Sequence, residues 1–81
     1  MTEPEILATF TRMLRDLLAD DQVQLTMETT RDEVPNWDSL AYVSFIVAVE
    51  MEHGVKFGVA EVESFENVGA IVSRTKELRR A

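Results

Sequence analysis

The 81-residue sequence has no cysteine, a single histidine, two prolines and three glycines. Without cysteine there is no disulfide framework and no thiolate of the chain's own. A zinc site draws on several Cys or His side chains at fixed spacing, and His53 has no such partner, so no metal centre is expected. Gly54, Gly58 and Gly69 are too dispersed for a phosphate-cradling loop. The acidic stretches from Asp20 and from Asp32 lack the sixth-position glycine and alternating oxygen ligands of a calcium loop. Positive charge is also scarce: eight Lys and Arg stand against fifteen Asp and Glu, a net charge of −7. Such a chain repels phosphate backbones, which makes nucleic acid and anionic membrane poor partners. The longest apolar run, Phe45 to Val49, falls far short of the roughly 20 residues a membrane span needs. Glu3 and Glu5 are unlike the basic start of a signal peptide. A soluble, cytoplasmic, monomeric protein with one domain over residues 1–81 is the expectation.

What is present suffices for a core. Hydrophobic residues make up 46% of the chain, although a domain this small buries only roughly 60% of its unfolded surface. Thr2 and Glu5 have capping-box spacing, and Pro4 suits a first turn. Ile6, Leu7, Phe10, Leu14, Leu17 and Leu18 then recur every three or four residues, predicting a helix from about Pro4 to Leu18 with these residues on one face. Ala19 to Trp37 carries no helical period. Val23, Leu25 and Met27 alternate with polar residues, as do Val55, Phe57 and Val59, so two short strands compete with a long loop pinned by its apolar residues; the loop is preferred, because an isolated strand pair is a weak unit. Leu40, Val43, Ile46 and Val47 predict a second helix from Ser39 to His53, stopped by Gly54. A short turn follows at Ala60 to Ser64, with Phe65 as a core anchor. Asn67 caps a last helix lined by Val68, Ile71, Val72, Thr75 and Leu78. The expected fold is all-α: a small bundle of three longer helices and one short one, with a long loop between helices one and two.

No catalytic set assembles. Nucleophilic catalysis needs a base beside a hydroxyl or thiol, and His53 sits where it would stabilise the end of helix two. An enzyme acting by itself is not expected, and no catalytic residue is assigned. The charge pattern is more informative. Twelve acidic residues and only two basic ones, Arg31 and Lys56, lie between Asp16 and Glu66, while Arg74, Lys76, Arg79 and Arg80 crowd the C-terminal end. The basic cluster suits the last turns of a helix, and the acidic middle would steer basic partners.

At the junction of the acidic loop and the apolar helix stands Asn36-Trp37-Asp38-Ser39-Leu40. Asp38 or Ser39 can serve there simply as a helix cap. A serine at a helix start also faces unpaired N–H groups and the positive end of the dipole, which suits a phosphodiester on its hydroxyl.

With Asp38-Ser39-Leu40 opening helix two, Val43, the stretch Glu50-Met51-Glu52-His53-Gly54-Val55, and Phe65-Glu66-Asn67-Val68 leading into the last helix, the sequence resembles the acyl carrier protein family over nearly its whole length. The resemblance implies that Ser39 bears a 4′-phosphopantetheine arm, transferred from coenzyme A by a phosphopantetheinyl transferase. It implies that Asp38, Leu40 and Trp37 form the recognition surround, with Asp38 capping and Leu40 anchoring the helix start while offering apolar contact to the transferase. A loading enzyme attaches an acyl or aminoacyl group as a thioester, and downstream enzymes with basic docking patches receive it. Fatty acid carriers usually have further acidic residues early in helix two. Here Ala41 and Ser44 take those places, and Trp37 stands where a smaller residue is common. Glu50, Glu52, Glu61 and Glu63 remain as an acidic docking rim. Val43, Val47, Val62, Phe65 and Ile71 match the family's acyl-sheltering positions, although ordinary core packing is the preferred explanation of them. The reading preferred is a discrete carrier of a dedicated biosynthetic pathway. The alternatives are a housekeeping fatty acid carrier and an unmodified acidic module in which Ser39 is only a cap.

Overall fold

The computed structural model describes residues 1–80, and its elements in chain order are α1 (Glu3–Leu18), a 3₁₀ turn (Arg31–Glu33), α2 (Ser39–His53), α3 (Val59–Ser64) and α4 (Val68–Arg80). No strand forms among the described residues. Helix α1 opens with the capping box: Glu5 N–H donates to Thr2 Oγ1 at 3.3 Å and Thr2 N–H to Glu5 Oε1 at 2.7 Å. The Thr2 amide, donating to the carboxylate, is the largest influence holding the Glu5 carboxyl below its ordinary pKa, and the Thr2 side chain adds to it. The helix closes on Ala19, a non-glycine residue in the left-handed region at φ 52°. Helix α2 closes on Gly54 at φ 65°, where the absence of a side chain removes that strain.

The core lies between α1, α2 and α4. Ile6, Phe10 and Leu14 meet Phe45, Ile46 and Val49 from α2 and Val68, Ile71 and Val72 from α4. Phe10 and Phe45 pack edge to face with centroids 5.3 Å apart, a favoured geometry for two ring quadrupoles. Leu17, expected on the inner face of α1, is exposed: it shares the side of positions 6, 10 and 14 but lies in the last turn of the helix, at the end of the packed core.

The loop from Ala19 to Asp38 is held down as the apolar pattern led us to expect. Val23, Leu25, Val34 and Trp37 are buried, and the strand alternative fails because the segment pairs with helices. Arg15 Nε–H donates to Val23 O at 2.7 Å. The start of α4 supplies the other anchor: Val68 N–H donates to Thr29 O at 2.8 Å and Gly69 N–H to Met27 O at 2.7 Å. Two unpaired amides of a first helical turn thereby find acceptors in the loop. The loop delivers the chain to the start of α2 in a fixed position.

Candidate functional site

Helix α2 begins on an Asp38 cap, whose Oδ1 accepts from Ala41 N–H at 2.9 Å. Ser39 is therefore the first helical residue, and its side chain is exposed. Trp37, just before the cap, is 4% exposed. Its ring meets Phe45 edge to face at 5.2 Å and lies 6.0 Å from Tyr42. Recognition by direct contact is thus closed to Trp37; it positions Asp38 and Ser39 by anchoring the residue before them. Leu40 is 78% exposed and anchors nothing, which corrects the expectation for the helix start.

The inner face of α2 is carried by Phe45, Ile46, Val49 and His53. Leu40, Val43, Val47 and Met51 lie outward, spaced by three, four and four, and form an exposed apolar stripe on one side of the helix. The expected apolar face of α2 is rotated accordingly: Val43 and Val47 belong to the surface. A helix this apolar all round gives no periodic signal by which its buried side can be chosen. Ala41 is half-buried and Ser44 exposed, so neither supplies charge at the docking positions.

The acidic rim is partly spent within the fold. Glu50 is half-buried and accepts from Phe57 N–H at 2.8 Å, fixing the chain after α2. Glu52 pairs with Arg12 at 2.8 Å across the exposed edge of α1 and α2. Glu61 accepts from Gly58 N–H at 3.0 Å and pairs with Arg74, and its carboxyl is held below the ordinary range by the Gly58 amide first and Arg74 second. Glu63 remains exposed.

Beside Ser39 a cleft of about 520 Å³ opens between α2, α3 and the loop. Val43, Val62 and Phe65 form its apolar wall, and Arg31, Glu63 and Glu66 its polar one. Val47 and Ile71, expected in the same pocket, are elsewhere: Val47 faces outward on α2, and Ile71 is buried beside a void of about 20 Å³. Phe65 is half-buried and stacks edge to face on Phe57 at 5.5 Å. Tyr42, which the sequence pattern did not single out, closes the top of this region. Its hydroxyl donates to Val62 O at 2.8 Å, joining α2 to α3, and the Arg31 guanidinium carbon lies 5.1 Å from its ring centroid. Burial raises the Tyr42 pKa, against a smaller opposite pull from Arg31.

His53 is 5% exposed rather than a solvated helix-end cation. Its Nε2 lies 2.8 Å from Thr9 Oγ1, and Arg79 Nη1 lies 3.4 Å from Nδ1. Burial lowers its pKa, as does Arg79; Glu52 pulls weakly the other way and Arg12 adds to the lowering. The neutral imidazole is the form this setting holds. The end of α2 is served instead by Arg79, which donates to His53 O at 3.2 Å.

No protein-family model matches the sequence, and no curated protein does. Among solved structures, the solution NMR structure of the holo acyl carrier protein from Geobacter metallireducens superposes with a TM-score of 0.82, at 30% identity over 90% of this chain and 84% of that one.

Proposed function

Because this chain belongs to the acyl carrier protein family, and so is a carrier and not a catalyst, we propose that it bears a 4′-phosphopantetheine arm on Ser39 and presents thioester-linked cargo to enzymes of a dedicated pathway. The observation that carries this reading is the placement of Ser39: an exposed hydroxyl at the first position of α2, next to its Asp38 cap and on the edge of a cleft of about 520 Å³. The residues fit the group. With Asp38 occupied by Ala41 N–H, the amides of Ser39 and Leu40 are first-turn donors without helical acceptors, a setting that favours the phosphodiester's negative charge. On modification, Ser39 Oγ would bond to the phosphorus that carries pantetheine and give up its proton, as the pyrophosphate bond of coenzyme A breaks and the adenosine bisphosphate leaves. When bound, the arm supplies the thiol that a chain without cysteine lacks.

The partners are a phosphopantetheinyl transferase, a loading enzyme and downstream enzymes. Their contact on α2 is the apolar stripe of Leu40, Val43, Val47 and Met51, with Glu63 and the Arg12-paired Glu52 at its margins. Docking through such a patch depends on burial more than on steering by charge. This supports a dedicated pathway over housekeeping fatty acid synthesis, whose carriers are met by basic patches.

Incubation with coenzyme A and a broad-specificity transferase, followed by peptide mapping, should place the added mass on the peptide holding Ser39. Mass on another peptide would refute the assignment. A housekeeping ketosynthase should process the acylated protein much more slowly than its own carrier; equal rates would remove the dedicated-pathway reading.

A further inference from the structure

Arg31 stands in the 3₁₀ turn of the loop and borders the same cleft as Ser39. It is the one cation on that border, where Asp32, Glu63 and Glu66 supply three carboxylates. None of them pairs with it: among the described residues, the ion pairs are those of Arg12 and Arg74. Glu33, two residues on, is taken by Thr30, whose N–H and Oγ1 donate to its carboxylate at 2.8 and 3.0 Å. The guanidinium of Arg31 lies instead over the Tyr42 ring, its carbon 5.1 Å from the centroid. An aromatic face attracts the charge but offers the N–H fork no oxygen acceptor. Both ends of this contact are fixed, since Tyr42 is tied to Val62 O through its hydroxyl and Arg31 O accepts from Val34 N–H at 3.2 Å. Tyr42 follows Ser39 by three positions on α2, so the two share one side of the helix, a turn apart.

We propose that Arg31 is a positioning residue for the arm: once Ser39 is modified, its guanidinium donates to the phosphodiester and sets the direction in which the arm leaves the helix. This rests on the carrier reading of Ser39. The modification brings a negative charge to a border that already holds three carboxylates, and Arg31 is the only full positive charge there to offset it. A guanidinium suits the role because its planar fork matches two phosphate oxygens at once. The phosphate is favoured over a carboxylate on a docking partner because it is covalently held at the edge of the same cleft, at a local concentration a free ligand does not reach.

The test uses the full chain, with and without the arm, and intact mass is read first. Absence of the mass gain would overturn the carrier reading and the positioning role with it. With loading established, the Arg31 Nε–H resonance should move downfield and exchange more slowly in the arm-bearing protein than in the unmodified one. Nuclear Overhauser contacts should join the Arg31 side chain to the arm's methylene next to the phosphate. In Arg31→Gln, the ³¹P resonance should lose the dependence on salt that it shows in the wild type, and the methylene should become more mobile; Arg31→Lys, which keeps the charge without the fork, should restore the salt dependence in part. The exposed position of Arg31 leaves the fold of both variants intact. An Arg31 Nε–H resonance unmoved by loading, or ³¹P behaviour identical in the wild type and Arg31→Gln, would overturn the proposal and leave Arg31 to a carboxylate on a partner.

Discussion

Gly69→Ala is the change that most sharply probes how the loop is tied to the site. A Cβ at residue 69 would stand 2.5 Å from Met27 O and 3.2 Å from Met27 Cβ. The nearer atom belongs to the main chain and cannot swing aside. The loop must therefore retreat from α4, lengthening the 2.7 Å bond from Gly69 N–H to Met27 O and the adjoining 2.8 Å bond from Val68 N–H to Thr29 O. At about 0.5–1.5 kcal/mol each, the two bonds together account for about 1–3 kcal/mol. Alanine returns at most about 1 kcal/mol through its helix propensity. The net is about 0–2 kcal/mol before the steric cost of displacing the Met27 main chain is added to it, and at about 4–8 °C per kcal/mol for a domain this size, Tm should fall by up to the order of 10 °C. Thermal unfolding followed by far-UV circular dichroism and by Trp37 fluorescence measures it. Because the same loop positions Asp38 and Ser39, transferase modification should slow as well. Gly54→Ala is the contrast: its φ is +65° but no atom lies within 4 Å of the added Cβ, so only the left-handed backbone cost of roughly 1–2 kcal/mol applies and modification should be unaffected. A Gly69→Ala protein with unchanged or raised Tm would refute the reasoning.

Three further outcomes are expected. Tyr42→Phe removes the hydroxyl bond to Val62 O and should destabilise by about 0.5–1.5 kcal/mol in urea titration, with the α2–α3 contacts showing the largest changes in amide exchange. The folded-state pKa of His53 is lowered, so the unfolded chain binds the proton more readily; stability is highest above the unfolded pKa of about 6.5 and should decline as pH falls through it toward the folded value. Denaturant titrations of the wild type and His53→Gln at pH 7.5 and pH 5.5 check this, and an equal decline in both proteins would exclude His53 as the cause. Met51→Glu should weaken partner binding severalfold while leaving Tm nearly unchanged, because Met51 is 80% exposed, whereas raising salt from 50 to 300 mM, concentrations chosen as roughly spanning weak to strong screening, should have little effect on the wild type.

The parts of the fold written in local chemistry were legible in advance. Thr2 with Glu5, Asp38 before an apolar helix, Gly54 after one, and Asn67, whose Oδ1 accepts from Ala70 N–H at 2.9 Å, mark helix ends because each satisfies or avoids a backbone requirement within four residues. Ser39, the proposed attachment position, was singled out by its place at such a helix start together with the resemblance to the carrier family. What was not legible depends on contacts remote in sequence. Which side of α2 faces inward is decided by Phe10, 35 residues before Phe45, as much as by α2 itself. His53 looked like a helix-end cation until Thr9 and Arg79 closed around it. Glu50 and Glu61 looked free for docking until the Phe57 and Gly58 amides and Arg74 claimed them. Tyr42 carried a hint in hindsight, an aromatic with a polar tip three residues after the proposed attachment serine, but its partner Val62 lies 20 positions away.

The central claim is that Ser39 carries a covalent arm, and the most direct measurement is the intact mass of the wild type and Ser39→Ala, before and after incubation with coenzyme A and an active broad-specificity transferase. Far-UV circular dichroism on both proteins confirms the fold, since Asp38 rather than Ser39 supplies the cap bond to Ala41. The account predicts a gain of one phosphopantetheine on the wild type and none on the variant. No gain on a folded wild type, or an equal gain on Ser39→Ala, would contradict it.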